Sequence, residues 1–543
     1  MTQDTALDMK DVELNEIDPE KQPMAAEEGE SPVGGEKNGV VKVKLEDDDG
    51  GSSSRPAKFT GLSKEELLKV AGTAGWVRVR WALLILFWLG WAGMLAGAVV
   101  IIVQAPRCRP LPAMEWWNKG PLYQIGDPAT FQDAEGQDGV GDIAGIQHRL
   151  DSLSSLKVKG LVIGPLHINS KDDPSSTRLK EIDQKYGNIE NFKSLLDAAR
   201  KKSIQIVLDL TPNYRGEDVW FNEEMKQPES ALLTQIKDAM HFWFEKGVGG
   251  IYISGFEKIQ NPDELIPELQ NVTVNHSAEG KARVLLISSN DSPSNQIMSI
   301  LNDTKTGILS TSYLLSKGNE SDNSLRERIR QYQGFAWEQD KILWAIRPGL
   351  GHVASAVKEK LLRVYQLLLF TLQGTPLTLY GDEIGLKDLP GQPARGPYMQ
   401  WDSGKNHGFS EGGTVDKVNE LNMNISFKAQ EDDKDSLLSH YKRLSDLRGK
   451  ERSLLHGDFT LLNSTDKALA FVRIWDQNER FVTVVNFAPE EKTEVSIAHK
   501  NIPEQCSVVL SSNPERKEGS SVPVKKLTLA AGEALLLKYP YSA

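Results

Sequence analysis

The sequence predicts a single-pass type II membrane protein whose ectodomain is a (β/α)8 TIM barrel followed by an antiparallel β-sandwich domain. The first observation is a run of 23 residues without a charge, 81–103. The second is a series of eight short apolar runs that alternate with helix-like stretches between residues 122 and 381. The third is a group of strand-like runs, separated by turn residues, after residue 440. With 543 residues, the chain is long enough for several domains.

Residues 1–60 are predicted to form a disordered acidic cytoplasmic tail. Residues 1–57 hold 15 Asp or Glu, six Lys or Arg and no aromatic residue. A segment of this composition cannot bury enough apolar surface to offset the entropy that it would lose on ordering.

The segment 61–80 is expected to contain a short helix at the inner membrane surface. Within "FTGLSKEELLKVAG", Ser63 is followed three residues later by Glu66, a capping-box pattern, and leucines supply an apolar face. Residues 81–103, "WALLILFWLGWAGMLAGAVVIIV", come next. At about 1.5 Å per residue they span a hydrocarbon core of roughly 30 Å. We therefore expect a transmembrane helix there, in contact with membrane lipid.

Two small residues on the transmembrane helix, Gly93 and Gly97, lie four positions apart, with Ala92 and Ala96 beside them. This spacing allows another helix to approach closely. The same pattern is also compatible with plain exposure to lipid, so both interpretations stay open.

Lys and Arg residues near its ends predict the orientation of the transmembrane helix. Five precede it and three follow: Lys58, Lys64, Lys69, Arg78 and Arg80, then Arg107, Arg109 and Lys119. This bias favours a cytoplasmic N-terminus and an extracellular C-terminal ectodomain. Seven N-x-S/T sequons, which are potential glycosylation sites, all follow the helix and agree with it. They lie at Asn271, Asn275, Asn290, Asn302, Asn319, Asn424 and Asn463.

Cys108 and Cys506 are the two cysteines of the chain. Cys108 lies in an expected extracellular neck, residues 104–115, where it would be exposed and close to the bilayer. In an oxidising compartment, such a cysteine is placed to form a disulfide with another membrane protein. The alternative is a disulfide between Cys108 and Cys506, although the strand-like surroundings of Cys506 predict a buried thiol. Two cysteines and nine scattered histidines predict no metal site.

Residues 116–438 are predicted to form the barrel, and residues 439–543 the β domain. Because helix-like segments connect the eight runs of the first region, they predict parallel strands, and eight such units are typical of a closed barrel. These runs are "LYQIGD", "VKGLVIGPL", "SIQIVLDL", "GIYISG", "ARVLLIS", "GILST", "KILWAI" and "PLTLYG". Turn residues separate the runs of the second region, which predicts antiparallel strands. Those runs are "ALAFVRIWD", "RFVTVVNFA", "EVSIAHK", "CSVVLSS" and "EALLLKYP".

Several long segments resemble the α-amylase family of glycoside hydrolases. "YQIGDPATFQDAEGQDGVGDIAGIQHRLDSLSSLKVKGLVIGPLH" is similar to the opening of that family's barrel. "LFTLQGTPLTLYGDEIGL" and "PYMQWDSGKNHGFS" are similar to its eighth-strand region, and "LRGKERSLLHGDF" to the start of its C-terminal domain. The resemblance extends over nearly all residues from 116 onward and implies the same barrel fold.

The positions where that family holds its catalytic groups carry other residues here. Its fourth strand usually reads G-V-D-G-F-R-x-D, and "GVGGIYISG" places Tyr252 at the arginine and Ser254 at the catalytic aspartate. Ser288 stands where the acid/base glutamate ends the fifth strand, and Leu350 is nearest to the third carboxylate. The strand-three motif "DLTPNY" keeps Asp209. Because retaining glycoside hydrolysis requires two carboxyl groups, we expect no enzyme activity and no catalytic residue.

The size of the barrel is a second departure from that family, which usually inserts a small domain after its third strand. Here 33 residues separate Asn213 from Gly247, enough for a loop and one helix. With the single transmembrane helix and the neck cysteine, this resembles the heavy chains of heteromeric amino-acid transporters. The missing insertion and the replaced carboxylates favour the heavy chains that differ most from active enzymes over the heavy chain of the cystine-transporting system.

This resemblance implies the function, since a chain with one helix does not itself form an amino-acid pathway. The chain is expected to bind a multi-pass light chain through Cys108, the transmembrane helix and the ectodomain. It would deliver that partner to the plasma membrane and stabilise it there, and it would associate with integrin β subunits. No cofactor is expected, and a net charge of −12 argues against nucleic-acid binding. The alternatives are a cell-surface adhesion or receptor module and a lectin-like module.

Overall fold

In the computed structural model the described residues divide into two units, one up to residue 104 and one from residue 108 onward, and each is presented by itself. The predicted acidic tail, 1–60, lies outside the described residues. These are 63–104, 108–170, 173, 175–212, 231–256, 259, 261–278, 280–289, 295–304, 307–315, 325–330, 341–349, 351–390, 396–412, 415, 422–462 and 467–542.

The first helix, α1, spans Lys64–Ala71 and begins with the predicted capping box. The Glu66 N–H donates to Ser63 Oγ at 3.4 Å, and the Ser63 N–H donates to Glu66 Oε2 at 3.1 Å. This reciprocal pair satisfies N–H groups that the start of a helix leaves without partners. The helix ends at Gly72, whose N–H donates to the Leu68 carbonyl at 3.0 Å.

The second helix, α2, spans Ala74–Gln104 and contains 31 residues, none of them buried in this unit. Among the described residues it is the one helix long and apolar enough to cross a membrane, with a mean hydropathy of 2.2 in its most apolar part. It begins at Ala74 rather than Trp81, so the expected juxtamembrane segment is divided between α1 and α2. The Arg80 guanidinium donates to the Ala71 carbonyl across the break between the two helices.

Eight parallel strands form a closed barrel in the second unit, as predicted. The described strands up to residue 379 are β1 Leu122–Gly126, β2 Gly160–Ile163, β3 His167–Asn169, β4 Thr177–Ile182, β5 Gln205–Asp209, β6 Gly250–Ser254, β7 Val284–Ser288, β8 Ile308–Tyr313, β9 Ile342–Ala345 and β10 Thr375–Leu379. All of them except β3 and β4 belong to the barrel. The ring follows the order of the sequence and closes where β1 pairs with both β2 and β10.

Side chains from every barrel strand fill the interior of the barrel, as is usual for this fold. They are Leu122, Val162, Val207, Tyr252, Val284, Leu286, Leu309, Tyr313, Leu343, Ala345 and Leu377, with Trp117 beneath them. Gly250 provides the space for one of them, because a Cβ at this position would lie 2.6 Å from Val284 Cγ1. The glycine of "GVGGIYISG" therefore serves the packing of the fourth barrel strand.

Helices connect the barrel strands and cover them from outside. In α5, Phe192, Leu195 and Ala199 are buried at helical spacing, after Asn188 has capped the first turn. The described helices of this region are α3 Ile143–His148, α4 Leu150–Ser155, α5 Ile189–Lys201, α6 Ala231–Lys246, α7 Pro262–Asn275, α8 Asn295–Asp303, α9 Val353–Ala356 and α10 Glu359–Thr371. Short 3-10 helices occur at Trp116–Asn118, Pro128–Thr130, Gln184–Tyr186 and Lys405–Gly408.

The strands β3 and β4 form an antiparallel hairpin between β2 and β5, which the sequence did not predict. β3 has only three residues, and charged side chains interrupt the apolar pattern of β4, "TRLKEI". Between β5 and β6 the structure describes α6, and residues 213–230 lie outside the described part of the chain.

The described residues of the C-terminal domain contain eight further strands, which follow helices α11 Phe427–Glu431, α12 Leu437–Lys450 and α13 Arg452–Leu455. They are β11 Asp458–Leu461, β12 Ala468–Ile474, β13 Arg480–Asn486, β14 Thr493–Val495, β15 Gln505–Ser511, β16 Ser521–Pro523, β17 Leu527–Leu529 and β18 Ala534–Tyr539. Six pair in the order β11-β12-β13-β18-β15-β16, and β14 pairs with β17. All these pairs are antiparallel, as predicted. The short strands β11, β16 and β17 were not predicted, and α12 spans the expected domain boundary at 438–439.

The six-stranded sheet is buried on both faces, because alternate residues of a strand point to opposite sides. Along β12, Leu469 and Phe471 belong to the core that the sheet shares with the barrel. Ala470 and Val472 instead pack in a second core, which includes Leu529 of β17. The sheet is thus a middle layer between the barrel and the β14-β17 pair.

Two buried arginines, Arg448 of α12 and Arg473 of β12, donate hydrogen bonds to backbone carbonyls at the carboxyl end of α10. Arg473 Nη1 donates to the last carbonyl of α10 at 2.9 Å. Arg448 donates to three backbone carbonyls at and just beyond this end, those of Phe370, Leu372 and Gly374. The last carbonyls of a helix have no partner within the helix and carry partial negative charge, so these cations match their chemistry.

Replacing Arg448 with Leu is expected to lower the free energy of unfolding by about 3 kcal/mol, because three buried carbonyls lose their donor. Denaturant unfolding of the detergent-solubilised chain, followed by tryptophan fluorescence, measures this loss. Lys450→Leu, on the same helix, is the matched control because the Lys450 side chain is 70% exposed. Arg448→Leu being no more destabilising than Lys450→Leu would contradict the assignment.

Candidate functional site

A cavity of about 400 Å³ opens at the carboxyl ends of the barrel strands. Its walls include Gln124 of β1, Asp209 of β5, Ser254 of β6, Ser288 of β7 and Tyr313 of β8. Enzymes with this fold hold their active sites at the same end of the barrel. The strand-end residues selected from the sequence are therefore brought to one cavity.

Ser254 and Ser288 are the last residues of β6 and β7 and are paired in register. Neighbouring strands lie about 4.8 Å apart. This is close to the separation of about 5 Å between the two carboxyl groups of a retaining glycosidase. The two positions are thus neighbours, as the resemblance implied, but both carry hydroxyl groups.

Asp209 is connected to Ser254 through Thr211. Asp209 Oδ1 accepts hydrogen bonds from the Thr211 N–H at 2.8 Å and from the Thr211 hydroxyl at 2.6 Å. Thr211 Oγ1 accepts from the Ser254 N–H at 3.0 Å and lies 3.1 Å from Ser254 Oγ. Burial raises the pKa of Asp209 to about 7, although the Thr211 hydrogen bonds act in the opposite direction. Near neutral pH, this carboxyl group is therefore only partly ionised.

Tyr252 and Tyr313 occupy the inner part of the cavity beside the serines. The Tyr313 hydroxyl and Ser288 Oγ are 2.8 Å apart and share a hydrogen bond. Burial raises the pKa of Tyr252 well above its ordinary value, and the charges of Tyr313 and Asp209 raise it further. Tyr252 is consequently a neutral phenol at the position where the resemblance places an arginine.

Two cations of the cavity wall, Lys185 and Arg347, were not predicted from the sequence. Lys185 lies in the 3-10 helix Gln184–Tyr186, and Arg347 follows the end of β9 by two residues. The Lys185 ammonium lies 4.3 Å from the centroid of the Tyr186 ring and 3.8 Å from the Asp183 carboxylate. Arg347 Nη1 lies 3.3 Å from Asp388 Oδ2. Both cations therefore interact with a carboxylate of the protein at the rim of the cavity.

Asp127 is the other carboxylate among the described residues that line the cavity. Its Oδ1 accepts hydrogen bonds from the Tyr186 hydroxyl at 2.8 Å and from the Ala129 N–H at 3.0 Å. Leu350, the expected third catalytic position, lies outside the described residues. In the described part of the site, the Ser254–Ser288 pair therefore offers hydrogen bonds but no carboxyl chemistry.

Cys108 is exposed, as predicted, and the residue after it fixes the neck to the β domain. The Arg109 N–H donates to Asp476 Oδ2 at 3.0 Å, and its guanidinium lies 3.3 Å from Asp458 Oδ2. The guanidinium also stacks over Trp475, 4.5 Å from the ring centroid. Such exposed contacts are individually weak, and the three of them hold Arg109 against the β domain.

Cys506 lies in β15 and is only 2% exposed. Burial raises the pKa of its thiol to about 11, so it is unreactive at neutral pH. Both cysteines are free thiols, and the alternative disulfide between Cys108 and Cys506 is not formed.

Three sequon asparagines, Asn271 and Asn275 on α7 and Asn424 before α11, are exposed. Asn302 lies in α8, but its side chain is outside the description, and Asn290, Asn319 and Asn463 lie outside the described residues. On α2, a Cβ added at Gly93 or Gly97 would meet no atom within 4 Å. Within the first unit, this face of the helix is open.

The sequence matches two family models. One, described as the N-terminus of solute carrier family 3 member 2, covers residues 42–123. The other, described as the alpha amylase catalytic domain, covers residues 127–233 and 350–457. The unmatched residues between these two segments include β6 to β9. The likeness to the catalytic domain is therefore interrupted in the region that holds Ser254 and Ser288.

Curated relatives match over most or all of the chain. The amino acid transporter heavy chain SLC3A2 of Oryctolagus cuniculus is 46% identical over 555 residues, which cover 100% of both chains. The heavy chain SLC3A1 of Rattus norvegicus is 26% identical, covering 89% of this chain and 86% of the relative. The crystal structure of Bacillus licheniformis trehalose-6-phosphate hydrolase is 17% identical with a TM-score of 0.62, covering 79% of this chain and 100% of the other. This last likeness concerns the fold alone.

Replacing Ser254 with Asp is expected to give no glycosidase activity, because Ser288 would still lack the second carboxyl group that the reaction requires. The measurement is the release of p-nitrophenol from p-nitrophenyl α-glucoside by the purified chain. The unmodified chain and Ser254→Asn set the background. Hydrolysis by Ser254→Asp above both backgrounds would show that this account of the cavity is wrong.

Replacing Asp209 with Asn is expected to reduce the pH dependence of stability. The pKa of Asp209 is about 7 in the folded chain and about 4 in an unfolded one. The stabilisation by the protonated form is therefore complete below about pH 4 and is lost as the pH rises through about 7.

Between about pH 5 and about pH 8, the unmodified chain should lose about 2 kcal/mol relative to Asp209→Asn. Denaturant unfolding at the two pH values measures the difference. Ser254→Asn, which changes the same cavity without removing a titrating group, should keep the full dependence. An equal pH response of the unmodified chain and Asp209→Asn would contradict the prediction.

Proposed function

The chain belongs to the SLC3A2 family of amino acid transporter heavy chains, and from this premise we propose that it is the non-catalytic subunit of a heterodimeric amino-acid exchanger that binds a multi-pass light chain. The family is that of the 4F2 cell-surface antigen heavy chain. It is also the branch that the sequence favoured over the SLC3A1 heavy chains.

The observation that carries the proposal is that the described chain has one helix of membrane-spanning length, α2. Pathways for amino acids are built between several helices, with the binding site near the middle of the membrane. A heavy chain with one such helix supplies an anchor, and the pathway belongs to its multi-pass partner.

Cys108 is the group proposed to link the two chains. It is exposed, and the Arg109 contacts hold the neck beside it. A disulfide makes all other contacts between the two chains effectively intramolecular, so weak contacts contribute more to the stability of the complex. The open face of α2 at Gly93 and Gly97 is one surface where such contacts would form.

The barrel is proposed to act as a folded extracellular body rather than as an enzyme. The paired hydroxyl groups of Ser254 and Ser288 support this proposal, as does the neutral Tyr252 at the arginine position. The interrupted match to the alpha amylase catalytic domain is consistent with it. A fold of this type supports many functions, because packing and catalysis depend on different residues.

The ectodomain is proposed to be extracellular, with N-linked glycans at exposed sequons such as Asn271, Asn275 and Asn424. In this account the chain delivers the light chain to the plasma membrane and stabilises it there. Association with integrin β subunits, through the membrane and tail segments, belongs to the same proposal.

Purification in mild detergent, followed by mass spectrometry of the band that disappears on reduction, tests this function. The proposal requires a multi-pass protein in one-to-one ratio with this chain. Retention of the chain on a glycan column in the absence of such a partner would instead favour a lectin-like function.

Replacing Cys108 with Ser is expected to remove the reducible high-mass band and to weaken the complex without abolishing surface delivery of the light chain. The physical reason is that the helix and ectodomain contacts remain. Non-reducing gels and surface biotinylation provide the two measurements. Cys506→Ala is the matched control and should keep the band, since that thiol is buried. Persistence of the band in Cys108→Ser, or complete loss of the partner from the surface, would contradict this prediction.

A further inference from the structure

The cavity at the barrel mouth contains a carboxylate oxygen without a partner, Asp209 Oδ2. Asp209 Oδ1 accepts both hydrogen bonds from Thr211, and no group among the described residues donates to Oδ2. The residue is 7% exposed and lines the cavity, so its small exposed part faces this space. Oδ2 is not among the polar atoms that the protein encloses completely. It is therefore open to a ligand in the cavity.

Asp209 projects into the barrel beside two aromatic rings. It pairs in register with Tyr252 of β6, which belongs to the barrel interior. Paired residues of neighbouring strands project to the same face of a sheet, so Asp209 also faces inward. Tyr313 of β8 belongs to the interior as well and lines the same cavity. The unpaired oxygen thus lies in a wall that is partly aromatic.

The charged residues of the described cavity wall differ in how they are compensated. The two cations, Lys185 and Arg347, lie 3.8 and 3.3 Å from carboxylates that do not line the cavity. The two acids, Asp127 and Asp209, accept hydrogen bonds only from uncharged N–H and hydroxyl groups of the described chain. The uncompensated charge in the described wall is therefore negative, which favours a cationic ligand.

An organic cation suits this wall better than a metal ion. A metal ion needs several ligand side chains, and the described residues hold no group of three or more His, Cys, Asp or Glu that could bind one. A guanidinium group needs a single acceptor for its N–H donors, and its planar face stacks on aromatic rings. The cavity volume, about 400 Å³, lies within the range of small-molecule sites.

We propose that the barrel mouth is a binding site for a small organic cation that carries a guanidinium group. The guanidinium N–H groups donate to Asp209 Oδ2, and the planar face of the group packs against the ring of Tyr252. Hydrogen bonds between two charged groups are stronger than those between neutral groups, above all where water is partly excluded. This site binds its ligand without chemical change and does not depend on the light chain.

Calorimetric titration of the full-length chain in detergent micelles, in amine-free buffer at pH 8 and constant ionic strength, tests the proposal. The probes are methylguanidinium and its uncharged analogue of the same shape, N-methylurea. We expect one methylguanidinium bound per chain, and N-methylurea bound about tenfold more weakly because it has no charge.

Two variants assign the binding to one carboxylate. Asp209→Asn should lower the affinity for methylguanidinium about tenfold, because the amide keeps the shape of the side chain and loses its charge. Its affinity for N-methylurea should stay nearly unchanged. The matched control, Glu494→Gln, removes an exposed carboxylate of β14 that does not line the cavity, and it should leave both affinities unchanged.

The pH dependence of affinity is a readout that a merely structural role of Asp209 would not produce. Burial raises the pKa of Asp209 to about 7, and a cation binds the ionised form. The affinity for methylguanidinium should therefore increase about tenfold from pH 6 to pH 8 in the unmodified chain and stay constant in Asp209→Asn. Asp209→Asn keeps the other charged or titratable residues of the described wall, which are Asp127, Lys185, Tyr186, Tyr252, Tyr313 and Arg347.

Three results would overturn the proposal. The first is the absence of saturable methylguanidinium binding up to about 10 mM, a concentration at which even weak sites fill. The second is equal affinity for methylguanidinium and N-methylurea in the unmodified chain, which would exclude a contact with a charged oxygen. The third is an equal loss of methylguanidinium affinity in Asp209→Asn and Glu494→Gln. The first two are decided on the unmodified chain, so they stand even if Asp209→Asn does not fold.

Discussion

The hydrogen bonds at the carboxyl end of the last barrel helix, α10, connect the barrel to the rest of its unit. The backbone carbonyls at this end accept hydrogen bonds from side chains outside the barrel. Arg448 reaches them from α12, and Arg473 reaches them from the sheet of the β domain. Buried cations need acceptors and a helix end needs donors, so each group supplies what the other lacks. Directly after α10 comes β10, which pairs with β1 and closes the ring. The β domain is therefore part of what holds the barrel closed.

The barrel strands and the long helix could be predicted because each is marked by an apolar run of sufficient length. The short strands β3, β11, β16 and β17 could not, since three or four residues show no clear period. The burial of Arg448 and Arg473 was equally hidden, because arginine is normally a surface residue and no local pattern indicates that a helix end packs against it. The break between α1 and α2 was missed because the residues before the apolar run also continue the helix.

At the barrel mouth the sequence located Ser254 and Ser288, since the ends of parallel strands meet at one edge. It did not locate Lys185 and Arg347, because neither belongs to a strand motif and only the fold brings them to the mouth. Nor did it indicate that the polar groups satisfy one another, as in the chain of hydrogen bonds from Asp209 through Thr211 to Ser254. Hydrogen bonds of this kind stabilise a fixed arrangement, whereas catalysis needs groups held ready for a substrate. In the described residues, these polar groups of the mouth are therefore bonded to one another.

The contact of Arg109 with Asp458 joins the beginning of the ectodomain to a strand 349 positions later. In the described residues, that strand, β11, is one of the two edge strands of the six-stranded sheet, and β16 is the other. An open sheet edge presents unpaired N–H and C=O groups on which a strand from another molecule can add, and charged residues at the edge discourage this. The ion pair places two opposite charges at the start of β11. The residues that hold Arg109 against the β domain therefore also place charges where another strand would add to this edge.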